Sequence, residues 1–210
     1  MGNLQHPEVT QAALSILRSG HPFQWYVVTL LALVVYVYAN EISKKNWKPV
    51  AAGLALYMVH WFVEIVNGLI QHFSGHALWT VPGGTAFLLL VGVGVEISLM
   101  FSIAGLALSK LLPPDPKTKI IGIPNRLFFA VINAAGFSIF EIFLVKTPTF
   151  VWVYPWWGAA PVFITVYIPF FVVGLYGYDW QPKVQKAVIG SMAGVNAAML
   201  AIFAGVLHWI

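Results

Sequence analysis

The chain contains no cysteine, which excludes disulfides, thiolate metal sites and cysteine nucleophiles. Charge is scarce as well: Asp, Glu, Lys and Arg make up 9% of the residues, and only seven are acidic. Long polar stretches are missing too; the longest segment outside the apolar runs is residues 1–22. That leaves no room for a soluble domain. Nor does the net charge of +4 signal a nucleic-acid partner, because the basic residues are spread over short loops. Residues 1–22 are polar and lack a basic stretch followed by an apolar one, so no signal peptide is expected. What remains is hydrophobic. Sixty percent of the residues are apolar and the mean hydropathy is +0.82, the composition of a membrane protein.

Six apolar runs near the length needed to cross a bilayer fall at about 23–40, 49–72, 84–109, 127–146, 153–177 and 187–209. The expected fold class is therefore all-α: a polytopic transmembrane helical bundle of about six helices. It forms a single transmembrane domain over residues 23–210, preceded by an N-terminal interfacial segment, 1–22. Within that segment Pro7 and Gly20 bracket a stretch in which Val9, Ala13, Ile16 and Leu17 share one face, the pattern of a short amphipathic helix on the membrane surface. Pro155, Pro161 and Pro169 predict that the fifth run is kinked or starts late.

Nine of the eleven basic residues fall in or beside the loops between runs one and two, three and four, and five and six. The positive-inside rule makes that side cytoplasmic. A multi-pass protein of the cell (inner) membrane with both termini on the non-cytoplasmic side is the expectation. Trp25, Trp79, Trp152, Trp156, Trp157 and Trp209 fall near the outer boundary as an aromatic belt.

Against this apolar background the intramembrane acids stand out. Glu64, Glu96 and Glu141 lie inside apolar runs. A carboxylate at the centre of a membrane helix costs roughly 2.5–3.5 kcal/mol on insertion scales. His60, Glu64 and Asn67 are spaced i, i+4, i+7 and share one helix face. Counting along the runs puts Glu96 at a depth close to that of Glu64, with Asn133, Glu141 and Asn196 on neighbouring helices. These depths suit one cavity opening toward the outer leaflet. The competing readings are that Glu141 snorkels to the interface near Lys146, and that Asn133 and Asn196 are interhelical hydrogen-bond donors.

A carboxyl group in an apolar pocket resists ionisation and can act as a general acid, while a hydrogen-bonded partner carboxylate acts as base. Aromatic walls such as Tyr57, Trp61 and Phe62 would stabilise a cationic intermediate through their ring faces, or simply fill space. The candidate catalytic residues are His60, Glu64 and Glu96. The candidate substrate-binding residues are Trp61, Asn67, Asn133, Glu141 and Asn196. The chemistry is proton-driven isomerisation or cyclisation of a hydrocarbon double bond, with no cofactor and no metal. The partners are a hydrophobic small-molecule substrate and membrane lipid, with an oligomer or complex partner also allowed.

His60-Trp-Phe-Val-Glu64, followed by Glu96 and then Val195-Asn196-Ala-Ala-Met-Leu on the last helix, resembles the emopamil-binding-protein-type sterol isomerases. Those enzymes shift a sterol ring double bond through a carbocation, and the resemblance implies His60, Glu64, Glu96 and Asn196 as site residues. The chain departs from that family in having six runs instead of five. It also has Leu99 and Met199 where the family has a threonine and a tryptophan. The small membrane-integral terpene cyclases are similar at the same level. Two other classes compete. His72 and His76, with His60 and the carboxylates, would make a metal-binding oxidoreductase, although His6 and His21 lie outside the runs. Buried carboxylates would equally serve a transporter, or a subunit of a membrane complex, in handling protons or ions.

Overall fold

The computed structural model describes residues 6–19 and 24–210. Gly20, His21 and Phe23, to which the sequence assigned a helix stop, a histidine outside the runs and the start of the first run, lie outside the described residues.

Among the described residues seven helices carry the architecture: α1 (Pro7–Ile16), α2 (Tyr26–Ser43), α3 (Trp47–Ser74), α4 (Val95–Ser109), α5 (Asn125–Leu144), α6 (Ala159–Gly177) and α7 (Pro182–Val206). Five of them, α2, α3, α5, α6 and α7, are long and apolar enough to cross a membrane, and α4 is a shorter apolar helix. The chain is thus an all-α polytopic bundle. The expected third run, 84–109, is corrected: only residues 95–109 are helical. Residues 84–94 form instead a loop and a hairpin, in which β2 (Leu88–Leu90) pairs antiparallel with β3 (Val93–Gly94). Apolar content is the same in a buried strand and a buried helix, but Gly83, Gly84, Gly92 and Gly94 disfavour helix here. The fifth run starts late, at Ala159, and widens into a π-helical stretch at Phe163–Tyr167. Pro169 follows it; a proline cannot donate to the carbonyl four residues back, and the wider turn absorbs that loss.

Helix α3 is the central post, packed on α2, α4, α6 and α7. Small residues permit this. A Cβ on Gly105 of α4 would stand 2.6 Å from the Ala52 carbonyl oxygen, and one on Gly174 of α6 would stand 3.0 Å from Leu56 Cβ, so the backbones approach as small-residue seams allow. Helix α3 ends at Gly75, whose φ of 81° is the left-handed cap that a glycine adopts without strain.

The two ends of the bundle differ. At one end the loops after α2, α4 and α6 gather. There Lys110 donates to Glu41, and Arg126 holds Asp179 through Nε at 2.6 Å and Nη2 at 3.2 Å. Nine basic residues cluster at this basic end, as the charge bias required. The segment around Arg18 and the C-terminal Ile210 meet at the other end, the termini end: Arg18 Nη2 donates to the Ile210 carbonyl at 3.0 Å. Non-helical backbone there is internally paired, as a low-dielectric setting demands. Strand β1 (Trp79–Thr80) pairs with β6 (Val151–Trp152), and Leu17 bridges to Leu88. Helix α1 packs on β1 with Thr10 and Ala13 fully buried, so its inner face meets protein.

Candidate functional site

A cavity of about 40 Å³ lies between α3, α5 and α6, toward the termini end. Helix α3 supplies His60 and Glu64, one turn apart; His60 Nδ1 stands 4.0 Å from Glu64 Oε1, and both side chains are buried. Helix α5 supplies Glu141, also buried, and the π-helical stretch of α6 supplies Tyr167. The Tyr167 hydroxyl faces both carboxyl groups, and Trp152 approaches Glu141 from β6. A widened turn often re-aims a side chain at a functional site, and here it brings Tyr167 to the acids. Phe101, Phe137, Phe170 and Trp79 wall the cavity. His60 stacks on Phe101, with ring centroids 4.4 Å apart at 17°, and meets Phe170 edge-on.

Among the described residues three polar atoms in this cavity have no partner at hydrogen-bonding geometry, His60 Nε2, Glu64 Oε2 and Glu141 Oε2, although the Trp79 indole stands close to Glu64. A buried polar group left unpaired costs roughly 1–3 kcal/mol, so three in one place are a concentrated expense. Gly92, in the turn of the β2–β3 hairpin, makes room for one of them, Glu64 Oε2. A Cβ there would stand 2.5 Å from Asn67 Nδ2, 2.5 Å from Trp79 Nε1 and 2.8 Å from Glu64 Oε2. Helices α4 and α5 meet through the rings of Phe101 and Phe137, centroids 5.7 Å apart. Ile97 and Met100 of α4 and the exposed Phe140 of α5 stand at the edge of the cavity between the two helices.

The structure brings together His60, Glu64 and Glu141 but not Glu96. The expected single site of His60, Glu64 and Glu96 is corrected accordingly. Because residues 84–94 are a loop and a hairpin, Glu96 sits in the first turn of α4 instead of halfway along a helix. Its carboxylate accepts from the Ala86 N–H at 2.7 Å, from the Thr85 hydroxyl and from Tyr26. A carboxylate in a helix's first turn is favourably placed against the helix dipole, and Glu96 is engaged in holding α2, the hairpin and α4 together.

The other candidates fall elsewhere. Asn67 is fully buried and clamps the following loop: Oδ1 accepts from the Leu78 N–H at 2.8 Å, and Nδ2 donates to the Trp79 carbonyl at 3.0 Å. It positions Trp79 and does not line the cavity. Asn196 of α7 donates to the Met58 carbonyl at 2.8 Å, an interhelical bond. Asn133 has a buried, unpaired Nδ2 away from the cavity. Trp61 packs edge-on to His60 from outside it. His72 stacks on Trp209, 4.5 Å between centroids. Among the described residues no three His, Asp or Glu side chains come together as metal ligands would. Tyr167, Trp79, Phe101 and Phe170 were missed by the sequence reading. Only the proline-interrupted sixth helix hinted at one of them, since irregular helix geometry marks where side chains are re-aimed.

Fold and site together define a polytopic integral membrane protein with a carboxyl pair and a histidine on one intramembrane cavity. Residues 7–205 match the family described as "Uncharacterized membrane protein family", and the chain belongs to it. A protein of Archaeoglobus fulgidus described as "Uncharacterized protein" is 45% identical over 208 residues, covering 97% of this chain and 99% of its own length. A second from the same organism, with the same description, is 40% identical over 50 residues, which are 23% of this chain and 89% of its own length. No solved structure matches the chain.

Proposed function

We propose that this protein is an intramembrane enzyme that moves a double bond, or closes a ring, in a linear isoprenoid-type substrate, with Glu64 and Glu141 as its proton-transferring pair. The observation that carries this reading is the meeting of two carboxyl groups from different helices, with His60, on one aromatic-walled cavity. In the isomerase form, one carboxyl group delivers its proton to an alkene carbon. The π electrons form the new C–H bond, and the neighbouring carbon becomes cationic. The other carboxylate then removes a proton from an adjacent carbon, and that C–H pair becomes the new double bond. The faces of Phe101, Phe137, Phe170 and Trp79 stabilise the cation meanwhile. His60 and the Tyr167 hydroxyl return the proton between the carboxyl groups, which resist ionising together when they share a site.

The cavity size selects the substrate. A volume of about 40 Å³ accepts a molecule or two of water or the tip of a chain, not a fused ring system. A linear isoprenoid would place its end beside the acids and leave its tail in lipid between α4 and α5. This favours a prenyl chain over a sterol.

The test is solvent-deuterium uptake. The protein, reconstituted in vesicles containing linear polyprenols of several lengths, is incubated in D2O, and the recovered lipids are weighed by mass spectrometry. Deuterium should enter one or more of them, and Glu64→Gln or Glu141→Gln should each slow uptake by roughly 10²–10⁴-fold. Glu96→Gln should leave it within a few-fold. Uptake that survives both cavity substitutions, or the absence of uptake from every chain tried, overturns the reading.

A further inference from the structure

At the basic end, a groove of about 650 Å³ runs between the first turns of α3 and those of α7. Trp47, Val50, Ala51 and Leu54 form one wall, and Gln185, Lys186, Ile189 and Gly190 the other. The volume lies within the range of sites that hold a small-molecule ligand, roughly 300–1,000 Å³. Its body is apolar and its mouth carries Lys186, with Trp47 standing exposed beside it. Tryptophan at this level is the usual marker of the membrane–water boundary.

The charge at this mouth is uncompensated. The basic end holds nine cationic residues and three acids, Glu41, Asp115 and Asp179. Glu41 is taken by Lys110 and Asn46, and Asp179 by Arg126. Asp115 turns back on its own loop, accepting from the Lys117 N–H at 2.9 Å. Lys186 has no ion pair with any described residue, and Lys183 lies three residues earlier on the same helix. Both α3 and α7 begin here without a side-chain cap, so their first N–H groups add a further positive contribution.

We infer that this groove is a binding site for an anionic membrane lipid. One acyl or prenyl chain lies along Val50, Leu54 and Ile189, and the negative headgroup is held by Lys186 beside Trp47. The source is a lipid of the surrounding bilayer, because the groove is apolar along its length and only its mouth is charged. The site is separate from the Glu64–Glu141 cavity, which lies toward the other end of the bundle.

The probe is dibrominated phosphatidylglycerol against dibrominated phosphatidylcholine, each as a minor component of nanodiscs holding the full chain. Bromine quenches a tryptophan it touches, and subtracting the signal of Trp47→Phe isolates Trp47. The anionic lipid should occupy the groove roughly fivefold more strongly, the ~1 kcal/mol that one lysine contributes near an anionic surface. Lys186→Gln should abolish that preference. Gly190→Leu should narrow the groove and weaken the anionic lipid's excess quenching of Trp47; a Cβ on Gly190 meets nothing within 4 Å, so the new side chain starts in open space. Equal quenching by the two lipids overturns the inference. So does an anionic preference left unchanged by Gly190→Leu, or a dimer that disappears in Gly190→Leu and shows that a second copy fills the groove.

Discussion

Replacing Asn67 by alanine should weaken the whole termini end of the bundle and loosen Trp79, a wall of the cavity. The amide makes two bonds to the backbone of the loop after α3: it accepts from Leu78 N–H at 2.8 Å and donates to Trp79 O at 3.0 Å. Asn67 is 1% exposed, so water does not replace what alanine removes. Each buried backbone group left unsatisfied costs about 1–3 kcal/mol, which gives about 2–6 kcal/mol for the pair. Asparagine is matched to this loop in both atoms. Aspartate keeps the acceptor facing Leu78 but turns an oxygen toward the Trp79 carbonyl, so Asn67→Asp should be at least as damaging as Asn67→Ala. The loss should also be visible locally. Trp79 stacks on Trp157 with centroids 5.7 Å apart at 14°, and both indoles should change their emission when the clamp goes. Reversible unfolding in mixed micelles measures the first effect, and tryptophan emission at low denaturant the second. If Asn67→Ala stays within 0.5 kcal/mol of the parent and leaves emission unchanged, the clamp does not position Trp79, and Asn67 returns to being a direct binding candidate.

Three further outcomes are expected. Breaking the part-buried Arg126–Asp179 pair with Arg126→Met should cost about 1–3 kcal/mol in the same unfolding measurement. Adding Asp179→Leu should recover much of that, since apolar replacement of both partners is far less costly than orphaning one. Gly92→Ala should destabilise by about 1–3 kcal/mol, the range for overpacking a filled interior. Adding Glu64→Ala should partly relieve it, because the new Cβ would stand 2.8 Å from Glu64 Oε2 and contacting sites are not additive. Finally, Lys45→Cys and Lys117→Cys, each introducing a lone cysteine, should both resist an impermeant thiol reagent in intact cells if the basic end faces the cytoplasm. Labelling of both would reverse the orientation.

Hydropathy alone located the helices, because each run of about 20 apolar residues has few other uses. The His60–Glu64 face was legible because i, i+4 spacing survives any choice of helix boundary. Glu96 failed for a related reason: its depth was counted from the start of an apolar run, and the first eleven residues of that run are loop and hairpin. Counting helical rise across residues that are not helical moved Glu96 from a helix end to mid-membrane. Glu141 was ambiguous because Lys146 is near in sequence, whereas the partners it faces, Tyr167 and Trp152, are separated from it by a loop and lie on other elements. The Arg126–Asp179 and Lys110–Glu41 pairs were invisible for the same reason. Pairing across 53 and 69 residues is a property of the packed loops, and no local pattern announces it.

The seven acids, taken together, carry the strongest argument for function. Glu8 lies 3.6 Å from His6, Glu41 is bonded to Lys110, Asp179 to Arg126, and Asp115 caps its own loop. Glu96 accepts from one backbone N–H and two hydroxyl groups. The fold therefore leaves Glu8 exposed and gives the other four donors suited to their charge. Among the described residues only Glu64 and Glu141 each keep a buried oxygen outside hydrogen-bonding geometry, with the Trp79 and Trp152 indoles nearby, and they keep it in the same cavity. A helical bundle gains nothing in packing from two such groups, and leucine at both positions would fill the space at lower cost. The same chain supplies eleven basic residues, none of which is paired with either acid among the described residues. Pairing would neutralise the acids but remove their freedom to exchange protons. Acids kept from cations, beside a histidine and a tyrosine and against aromatic faces, are what the proposed proton transfer calls for and what helix packing alone does not.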